Sequence, residues 1–194
     1  MSNTDIELMA HLFRRAGFGS NRQILEEYCN KGYDVAVEEL LNPENQPAFD
    51  DDLIWRYAPY FRMGTGAPGY QSYWMYRMIS TPRQLEEKLT LFWHHVFATS
   101  HSKLNRNPQI LKQLSMLREN CLGNFRDILM EVSKDPAMIF WLDNCDNHKG
   151  APNENFGREL LELFSMGVGK DNEFNYSEDD VKSAARAFSG WTMA

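Results

Sequence analysis

Helical periodicity runs through nearly the whole chain, and it constrains the fold more than any other feature of the sequence. Apolar side chains recur at spacings of three and four residues within stretches that end at glycine or proline. No stretch alternates between apolar and polar residues over a convincing strand length, and no heptad persists. The pattern therefore predicts an all-α protein, a multi-helix orthogonal array of about eight to ten helices.

Capping residues predict where several of these helices begin. A Ser, Thr, Asp or Asn before an apolar stretch satisfies free N–H groups of the first turn, and proline suits the first helical position. Polar stretches at 143–153 and 167–176 are predicted to be loops. The predicted helix starts are a capping box at 20–23, Asp34, Pro82 as a first helical residue, Asp135, and a capping box that begins at Ser177.

Length and composition point to one helical domain. The chain has 194 residues, of which 43% are hydrophobic and 13% aromatic, and this supplies enough large side chains for a core. We therefore expect a single domain over residues 1–194. The net charge of −7 argues against binding to nucleic acid through its phosphates, so no nucleic-acid partner is predicted.

The sequence shows no targeting or membrane-spanning pattern. Its first residues have neither the basic region nor the apolar run of a signal peptide, and no apolar stretch reaches the roughly 20 residues of a membrane span. Three widely spaced cysteines, Cys29, Cys121 and Cys145, match neither a zinc motif nor a disulfide framework. These features predict a cytoplasmic protein with reduced thiols and no membrane partner.

The segment 153–164 places a carboxylate within its own apolar stripe. At about 100° per residue, Phe156, Leu163 and Phe164 fall on one side of a helix, and Glu159 falls on that same side. A buried carboxylate needs a cation, a metal ion or several hydrogen-bond donors. The sequence therefore predicts that Glu159 has a partner and that this partner marks a site.

His94 is the candidate partner of Glu159. It lies opposite the apolar stripe of the predicted 82–98 helix, whose end is apolar nearly all round. Imidazole and carboxylate groups from facing helices form metal sites, so His94 and Glu159 are candidate ligands of a divalent metal ion or candidate catalytic bases, with Arg158 as an anion stabiliser. The alternative is a structural network, which the absence of Glu-x-x-His and His-Glu-x-x-His pairs favours.

Charged side chains on two helices form a second candidate site. His11 and Arg15 share the polar side of the first predicted helix, and Arg158 lies four residues after Glu154. An arginine among these can clamp Glu159 or an anionic ligand, so His11, Arg15 and Glu154 are candidate binding residues. The alternative is a solvated charged face, in which each ion pair contributes only about 0.3–0.5 kcal/mol.

Aromatic residues are concentrated between residues 55 and 76. Dense aromatic side chains on helical stretches favour packing into a core, and the alternative is an aromatic groove for a sugar or a peptide. The aromatic residues of this stretch include Trp55, Tyr57, Tyr60, Phe61, Tyr70, Tyr73, Trp74 and Tyr76.

Seven segments of the chain, in this order and spacing, form a specific pattern. They are 11–19 (HLFRRAGFG), 91–97 (LFWHHVF), 123–129 (GNFRDIL), 135–138 (DPAM), 153–164 (NENFGRELLELF), 176–181 (YSEDDV) and 185–191 (ARAFSGW). Together they cover nearly the whole chain and resemble an uncharacterised bacterial family, the domain-of-unknown-function family 1800 (DUF1800).

The resemblance implies a largely helical protein and no agreed activity. Family members usually continue past the Gly-Trp element, so we expect the chain to be the N-terminal part of a longer family domain, with the missing C-terminal half as one candidate partner. Many relatives carry a second His where this chain has Val96. Two functions stay open: a structural or protein-interaction module with internal His, Glu and Arg networks, and a metal- or acid/base-dependent enzyme of hydrolytic type.

Overall fold

The computed structural model describes residues 3–58, 66–170 and 173–192. Most of these residues lie in helices, which confirms the all-α prediction. The chain divides into two compact units, Met1–Trp93 and His94–Ala194. The expectation of one domain over 1–194 stays a prediction. Within the described ranges, no helix combines the length and the apolar character that crossing a membrane requires.

The described residues of the first unit form helices and turns. Its first three helices pack around the buried side chains of Met9, Phe13, Leu25 and Ala36. The rings of Phe13 and Tyr28 are 5.0 Å apart, so the helical apolar spacing of the sequence serves this small core. The elements are α1 (Asn3–Ala16), α2 (Arg22–Lys31), α3 (Tyr33–Leu41), a 3-10 turn (Pro43–Asn45), α4 (Asp51–Tyr57), α5 (Ala67–Ser80) and α6 (Gln84–Val96), within which the unit ends.

Two predicted caps in the first unit are wrong by one or two residues. Asn21, and not Ser20, caps α2, because its side chain accepts the N–H of Ile24. Helix α3 follows Gly32 directly, so Asp34 lies inside the first turn instead of before it. Several polar residues compete for each helix start, and the sequence alone does not rank them.

Helix α6 begins later than predicted. It starts at Gln84 and not at Pro82. The Oγ1 atom of Thr81 accepts the N–H of Arg83 at 3.1 Å, and the Gln84 side chain donates to the carbonyl oxygen of Thr81 at 2.7 Å. The Thr-Pro pair therefore forms a turn that precedes the helix, since the residue before a proline disfavours helical geometry.

The second unit combines helices with one short hairpin. Its elements are α7 (His101–Leu104), α8 (Asn107–Asn120), α9 (Phe125–Lys134), α10 (Pro136–Trp141), a 3-10 turn (Asn144–Asp146), α11 (Asn155–Glu162), β1 (Gly169–Lys170), β2 (Glu173–Phe174) and α12 (Glu178–Ala187). The large apolar side chains buried in this unit include Phe97, Ile110, Leu114, Leu117, Ile128, Val132, Met138 and Phe156.

Both capping predictions in the second unit are confirmed. The carboxylate of Asp135 accepts the N–H of Met138 at 3.0 Å at the start of α10. At the start of α12, Ser177 Oγ accepts the N–H of Asp180 at 3.2 Å, and the Asp180 carboxylate accepts the N–H of Ser177 at 2.8 Å. These bonds satisfy N–H groups that the helices themselves leave without partners.

A two-stranded antiparallel hairpin lies in the predicted 167–176 loop, and the sequence did not predict it. Gly169 pairs with Phe174, and Lys170 pairs with Glu173. Gly169 has a φ of 98°, and a Cβ atom there would collide with the carbonyl oxygen of Glu173. Each strand has only two residues in this structure, so it is too short to show an alternating pattern.

Candidate functional site

Helices α11 and α12 are in close contact at Gly157. A Cβ atom on the buried Gly157 would meet the backbone nitrogen of Ala185 at 3.0 Å and the carbonyl oxygen of Val181 at 3.2 Å. Beside this contact, the ring of Phe156 lies 4.9 Å from that of Phe188. The missing side chain of Gly157 therefore lets the helices approach, and it determines which side of α11 faces the core.

The prediction that the Glu159 carboxylate is buried in an apolar stripe is wrong. Its side chain is half-buried, and Leu163, predicted to share the buried side, is 66% exposed. The Glu159 carboxylate makes no hydrogen bond or ion pair with another described residue. Burial raises the pKa of Glu159 and the charge of Glu162 raises it further, whereas Arg158 lowers it. A half-buried carboxyl group can stay hydrated, so it does not require a cation.

Arg158 is held by two carboxylates. Its Nη1 and Nη2 atoms donate to the two carboxylate oxygens of Glu178 at 2.8 and 2.7 Å, and Nη2 also donates to Glu154 at 3.2 Å. The bond to Glu178 is the main cause that raises the pKa of Arg158, and the same bond lowers the pKa of Glu178. The bidentate pair joins α11 to the first turn of α12. The proposed catalytic role of Arg158 stays a prediction.

His94 lies half-buried near the end of α6. Burial lowers its pKa, and the neighbouring His95 lowers it further. No hydrogen bond or ion pair joins His94 to Glu159. Across residues 3–58, 66–170 and 173–192, no group of three or more His, Cys, Asp and Glu side chains is arranged to hold a metal ion. The roles of His94 and Glu159 as metal ligands or bases therefore stay predictions, without a third ligand in these ranges.

The other predicted binding residues do not form one constellation. His11 and Arg15 are exposed on α1, and neither makes an ion pair with another described residue. Glu154 precedes α11 and pairs with Arg158 at 3.2 Å. Exposed charges of this kind resemble a solvated charged face. A binding role for these three residues stays a prediction.

A fully buried carboxylate does exist in the first unit, at Glu87, which the sequence reasoning missed. Trp74 Nε1 donates to Glu87 Oε1 at 2.6 Å, and Arg77 Nε donates to Oε2 at 3.0 Å. Arg77 Nη1 and the Tyr73 hydroxyl both donate to Asp51 Oδ1, at 2.8 and 2.7 Å. Burial opposes the charge of Arg77, but these acidic partners raise its pKa overall. Trp74 and Arg77 lie one turn apart on α5, and this spacing is the sequence feature that could have indicated a shared partner.

Two buried asparagines attach the 143–153 loop to the end of α12. Asn147 Nδ2 donates to the carbonyl oxygen of Ala185 at 2.7 Å, and Asn147 Oδ1 accepts the N–H of Asn153 at 3.1 Å. Asn144 Nδ2 donates to the carbonyl oxygen of Phe188 at 3.2 Å. Because the last carbonyl groups of a helix have no partner within it, the amides complete the hydrogen bonding of α12. The two asparagines therefore have a structural role.

Asp135 does more than cap α10. Its carboxylate also accepts a hydrogen bond from Gln113 Nε2 at 2.8 Å, and Gln113 Oε1 accepts the hydroxyl of Thr99 at 2.6 Å. Burial raises the pKa of Asp135 to about 6, although its hydrogen-bond donors and the charge of Lys112 oppose the shift. This buried chain ties α8 to the start of α10.

An open apolar groove lies in the first unit beside the 47–50 loop, α4 and α5, with a volume of about 610 Å³. Tyr57 and Tyr76 line it and are 79% and 51% exposed. The rings of Phe49 and Tyr76 meet edge to face at 6.1 Å. The other rings and aliphatic groups that line it include Pro47, Ile54 and Pro82. A rigid aromatic wall of this size is typical of a recognition site.

The aromatic residues of the 55–76 stretch therefore have two different roles. Tyr73 and Trp74 are buried and belong to the core, as the first interpretation predicted. Tyr57 and Tyr76 instead line the groove, and the binding of a sugar or a peptide there stays a prediction. Tyr60 and Phe61, and the side chain of Trp55, lie outside the described part of the chain.

Comparison with known families gives one match over almost the whole chain. A family model described as "Protein of unknown function (DUF1800)" matches residues 11–194. The chain belongs to the DUF1800 family. No curated protein and no solved structure matches it. The family description assigns no activity, so membership shows a helical domain of unknown function.

Several segments that carry the DUF1800 resemblance form internal contacts in the structure. The 135–138 segment supplies the buried Asp135, and the 153–164 segment supplies Gly157 and Arg158 at the α11–α12 interface. The 185–191 segment supplies carbonyl oxygens that the buried asparagines bind. In these places the family pattern specifies helix packing and helix ends.

Proposed function

We propose that this DUF1800 chain is a protein-interaction module that binds its partner through the aromatic groove of the first unit. The exposed rings of Tyr57 and Tyr76, which both line a groove of about 610 Å³, are the observation that carries the proposal. Exposed tyrosines combine a large apolar face with a hydroxyl group and are enriched at recognition surfaces. The volume lies within the range of ligand-binding clefts, and aromatic-lined grooves also bind segments of partner proteins.

The polar side chains offer weaker support for an enzyme. Arg158 is bound to Glu178 and Glu154, and Asp135 is bound to Gln113 and a helix N-terminus. These groups stabilise the fold, which agrees with a module whose His, Glu and Arg networks are internal. A reactive centre instead requires a nucleophile, a base and a stabilising donor that converge on one point.

The cellular location is part of the same proposal. No disulfide joins the three cysteines. Reduced thiols suit a cytoplasmic protein, because disulfides form and persist mainly in oxidising compartments. Fractionation of the native host would test this, and recovery of the protein outside the cytoplasmic fraction would contradict it.

Selection from a library of random linear peptides displayed on phage tests the binding function. The immobilised chain is compared with Tyr57→Ser and with the control Tyr33→Ser, which changes a tyrosine that is 39% exposed on α3 and does not line the groove. We expect peptides that are retained by the wild type and by the control but lost with Tyr57→Ser. An oligosaccharide array is probed in parallel. Enrichment of no peptide, or retention of oligosaccharides alone, would overturn the proposal.

A further inference from the structure

Helices α8 and α9 flank an open groove of about 940 Å³ in the second unit. We infer that this groove is a homodimer interface, in which a second copy of the chain packs with its helices antiparallel to those of the first. The groove shares no described lining residue with the aromatic groove of the first unit, so the inference is independent of the proposed function. It rests on the order of the charged residues along the two helices.

The two helices run antiparallel to each other. Only residues 121–124 connect the end of α8 to the start of α9, and a connection this short returns the chain alongside itself. At the opposite end, Gln113 Nε2 donates to the Asp135 carboxylate at 2.8 Å. The first half of α8 therefore lies beside the end of α9, and the last turn of α8 lies beside the start of α9.

Each helix presents opposite charges to the groove, about two turns apart. Lys112 and Glu119 line it from α8, and Asp127 and Lys134 line it from α9. All four are exposed, and Lys112, Glu119 and Asp127 make no hydrogen bond or ion pair with another described residue. Because the helices are antiparallel, both lysines lie at one end of the groove and both acidic residues at the other.

The remaining charged residues of the described lining keep this contrast between the ends. They are Arg126, Glu131 and Asp135. Arg126 lies at the acidic end and the buried Asp135 at the basic end, so each reduces the charge of its own end without reversing it. Glu131 lies between the ends and pairs with Lys134 at 2.7 Å. The groove therefore has a basic end and an acidic end.

A two-fold axis across the middle of α8 brings its opposite charges together between two copies. Lys112 and Glu119 stand equally far from a point between Ser115 and Met116. An axis at right angles to the helix through that point reverses the residue order in the second copy. Lys112 then faces Glu119 of the second copy, and symmetry repeats the contact.

The same axis pairs the opposite charges of α9. Asp127 and Lys134 stand equally far from a point between Met130 and Glu131, and this point and the midpoint on α8 both lie about five residues from the 121–124 connection. Asp127 therefore faces Lys134 of the second copy. A two-fold axis parallel to the helices would instead place the two basic ends against each other, so the charges select the antiparallel dimer.

The middle of the groove is apolar and adaptable. Met130 is 51% exposed, and it lines the groove together with the half-buried Met116. Methionine is frequent at binding surfaces, because its unbranched side chain adjusts to a partner. The opposite charges lie only about 10 Å apart along each helix, so the contact is small, and we expect a weak dimer with a dissociation constant on the order of 10 μM.

Sedimentation velocity at about 1–100 μM tests the inference on the whole chain, whose mass is 22.6 kDa. We expect the fraction of particles with twice that mass to grow with concentration. Lys112→Glu places a carboxylate opposite Glu119 of the second copy in both symmetric contacts, so it should weaken the dimer at least about tenfold. The control Lys149→Glu makes the same change of charge at an exposed position outside the groove and should leave the dimer unchanged.

Exchanging the two charges of α8 within one chain provides the rescue. Lys112→Glu combined with Glu119→Lys restores opposite charges at both symmetric contacts, so the dissociation constant should return to within about threefold of the wild-type value. Glu119→Lys alone should weaken the dimer as much as Lys112→Glu does. Circular dichroism and urea unfolding check that each variant is folded, as expected for substitutions at exposed helix positions.

Three results would overturn the inference. The first is a wild-type chain that stays monomeric at about 100 μM. The second is a dimer that Lys112→Glu weakens no more than Lys149→Glu does, or that the double variant fails to restore. The third is a dimer that Tyr57→Ser disrupts and Lys112→Glu does not, because the contact then lies in the aromatic groove. The peptide selection tests the proposed function separately.

Discussion

Replacing Glu87 tests whether the buried network of the first unit holds its helices together. The side chain is fully buried, and its two oxygens accept hydrogen bonds from Trp74 Nε1 at 2.6 Å and Arg77 Nε at 3.0 Å. Glu87→Ala removes both acceptors and leaves those two N–H groups in a largely buried site. The variant therefore loses the free energy that it costs to leave two buried N–H donors without acceptors.

The expected loss in the free energy of unfolding depends on which partners Arg77 keeps. Removing one member of a buried ion pair typically costs about 3–5 kcal/mol in the free energy of unfolding. Arg77 keeps Asp51, at 2.8 Å from its Nη1 atom, so its charge is still balanced after the change. We therefore expect about 3 kcal/mol for Glu87→Ala, the low end of that range. Glu87→Gln keeps one acceptor oxygen and should cost about 1–2 kcal/mol.

Urea unfolding at pH 7, followed by tryptophan fluorescence and circular dichroism, measures these differences. The control is Glu27→Ala, whose carboxylate is 60% exposed and pairs with Lys31 at 3.2 Å. This exposed pair should contribute no more than about 0.5 kcal/mol. If Glu87→Ala destabilised the chain no more than Glu27→Ala does, the argument that the buried network stabilises the unit would be refuted.

Three further predictions concern the second unit, and all use equilibrium unfolding. Gly157→Ala should lower the free energy of unfolding by about 1–3 kcal/mol, because the new Cβ atom meets backbone atoms of α12 at 3.0–3.2 Å. The control Gly150→Ala adds a Cβ atom with nothing within 4 Å, so it should change stability by less than about 0.5 kcal/mol. Asn147→Ala should lower the free energy of unfolding by about 2–4 kcal/mol, because it removes the buried hydrogen bonds to the carbonyl oxygen of Ala185 and to the N–H of Asn153. A loss below about 1 kcal/mol would contradict the structural role of Asn147. The folded-state pKa of Asp135 is raised from 3.8 to about 6, so its protonation stabilises the fold fully below pH 3.8, and up to about 3 kcal/mol is lost as the pH rises through about 6. The difference in stability between wild type and Asp135→Asn should follow that pH window, and a difference independent of pH would show that the carboxyl group is not perturbed.

The helical character of the chain and several of its helix ends were determined by the sequence alone. A cap acts over three residues, so the bonds made by Asp135 and Ser177 could be predicted from their immediate neighbours. The same local reasoning was wrong at Ser20, because the adjacent Asn21 is an equally good cap. It was also wrong at Asp34, because α3 begins directly after Gly32 without a side-chain cap. Local patterns indicate that a helix starts in a given stretch, and packing decides at which residue it starts.

The tertiary structure decided which residues are buried and which face a partner. A helical wheel ranks side chains by hydrophobicity, so it placed Glu159 on the core side and gave no weight to Gly157, whose lack of a side chain permits the close approach to α12. Glu87 is buried because its donors come from another helix, at positions 10 and 13 residues earlier in the chain. Burial depends on what the opposite surface contributes, and the sequence of one helix does not contain that information.

The division of the aromatic residues has the same cause. Tyr73 and Tyr76 belong to one helix and have the same chemistry, yet one hydroxyl is bonded to Asp51 in the core and the other ring lines an open groove. Composition and spacing predicted that these rings would be either core or recognition surface. Tyr76 follows Tyr73 by three residues, so the two side chains lie only about 60° apart around the helix, and only the packing of α4 and α5 assigned each ring its role.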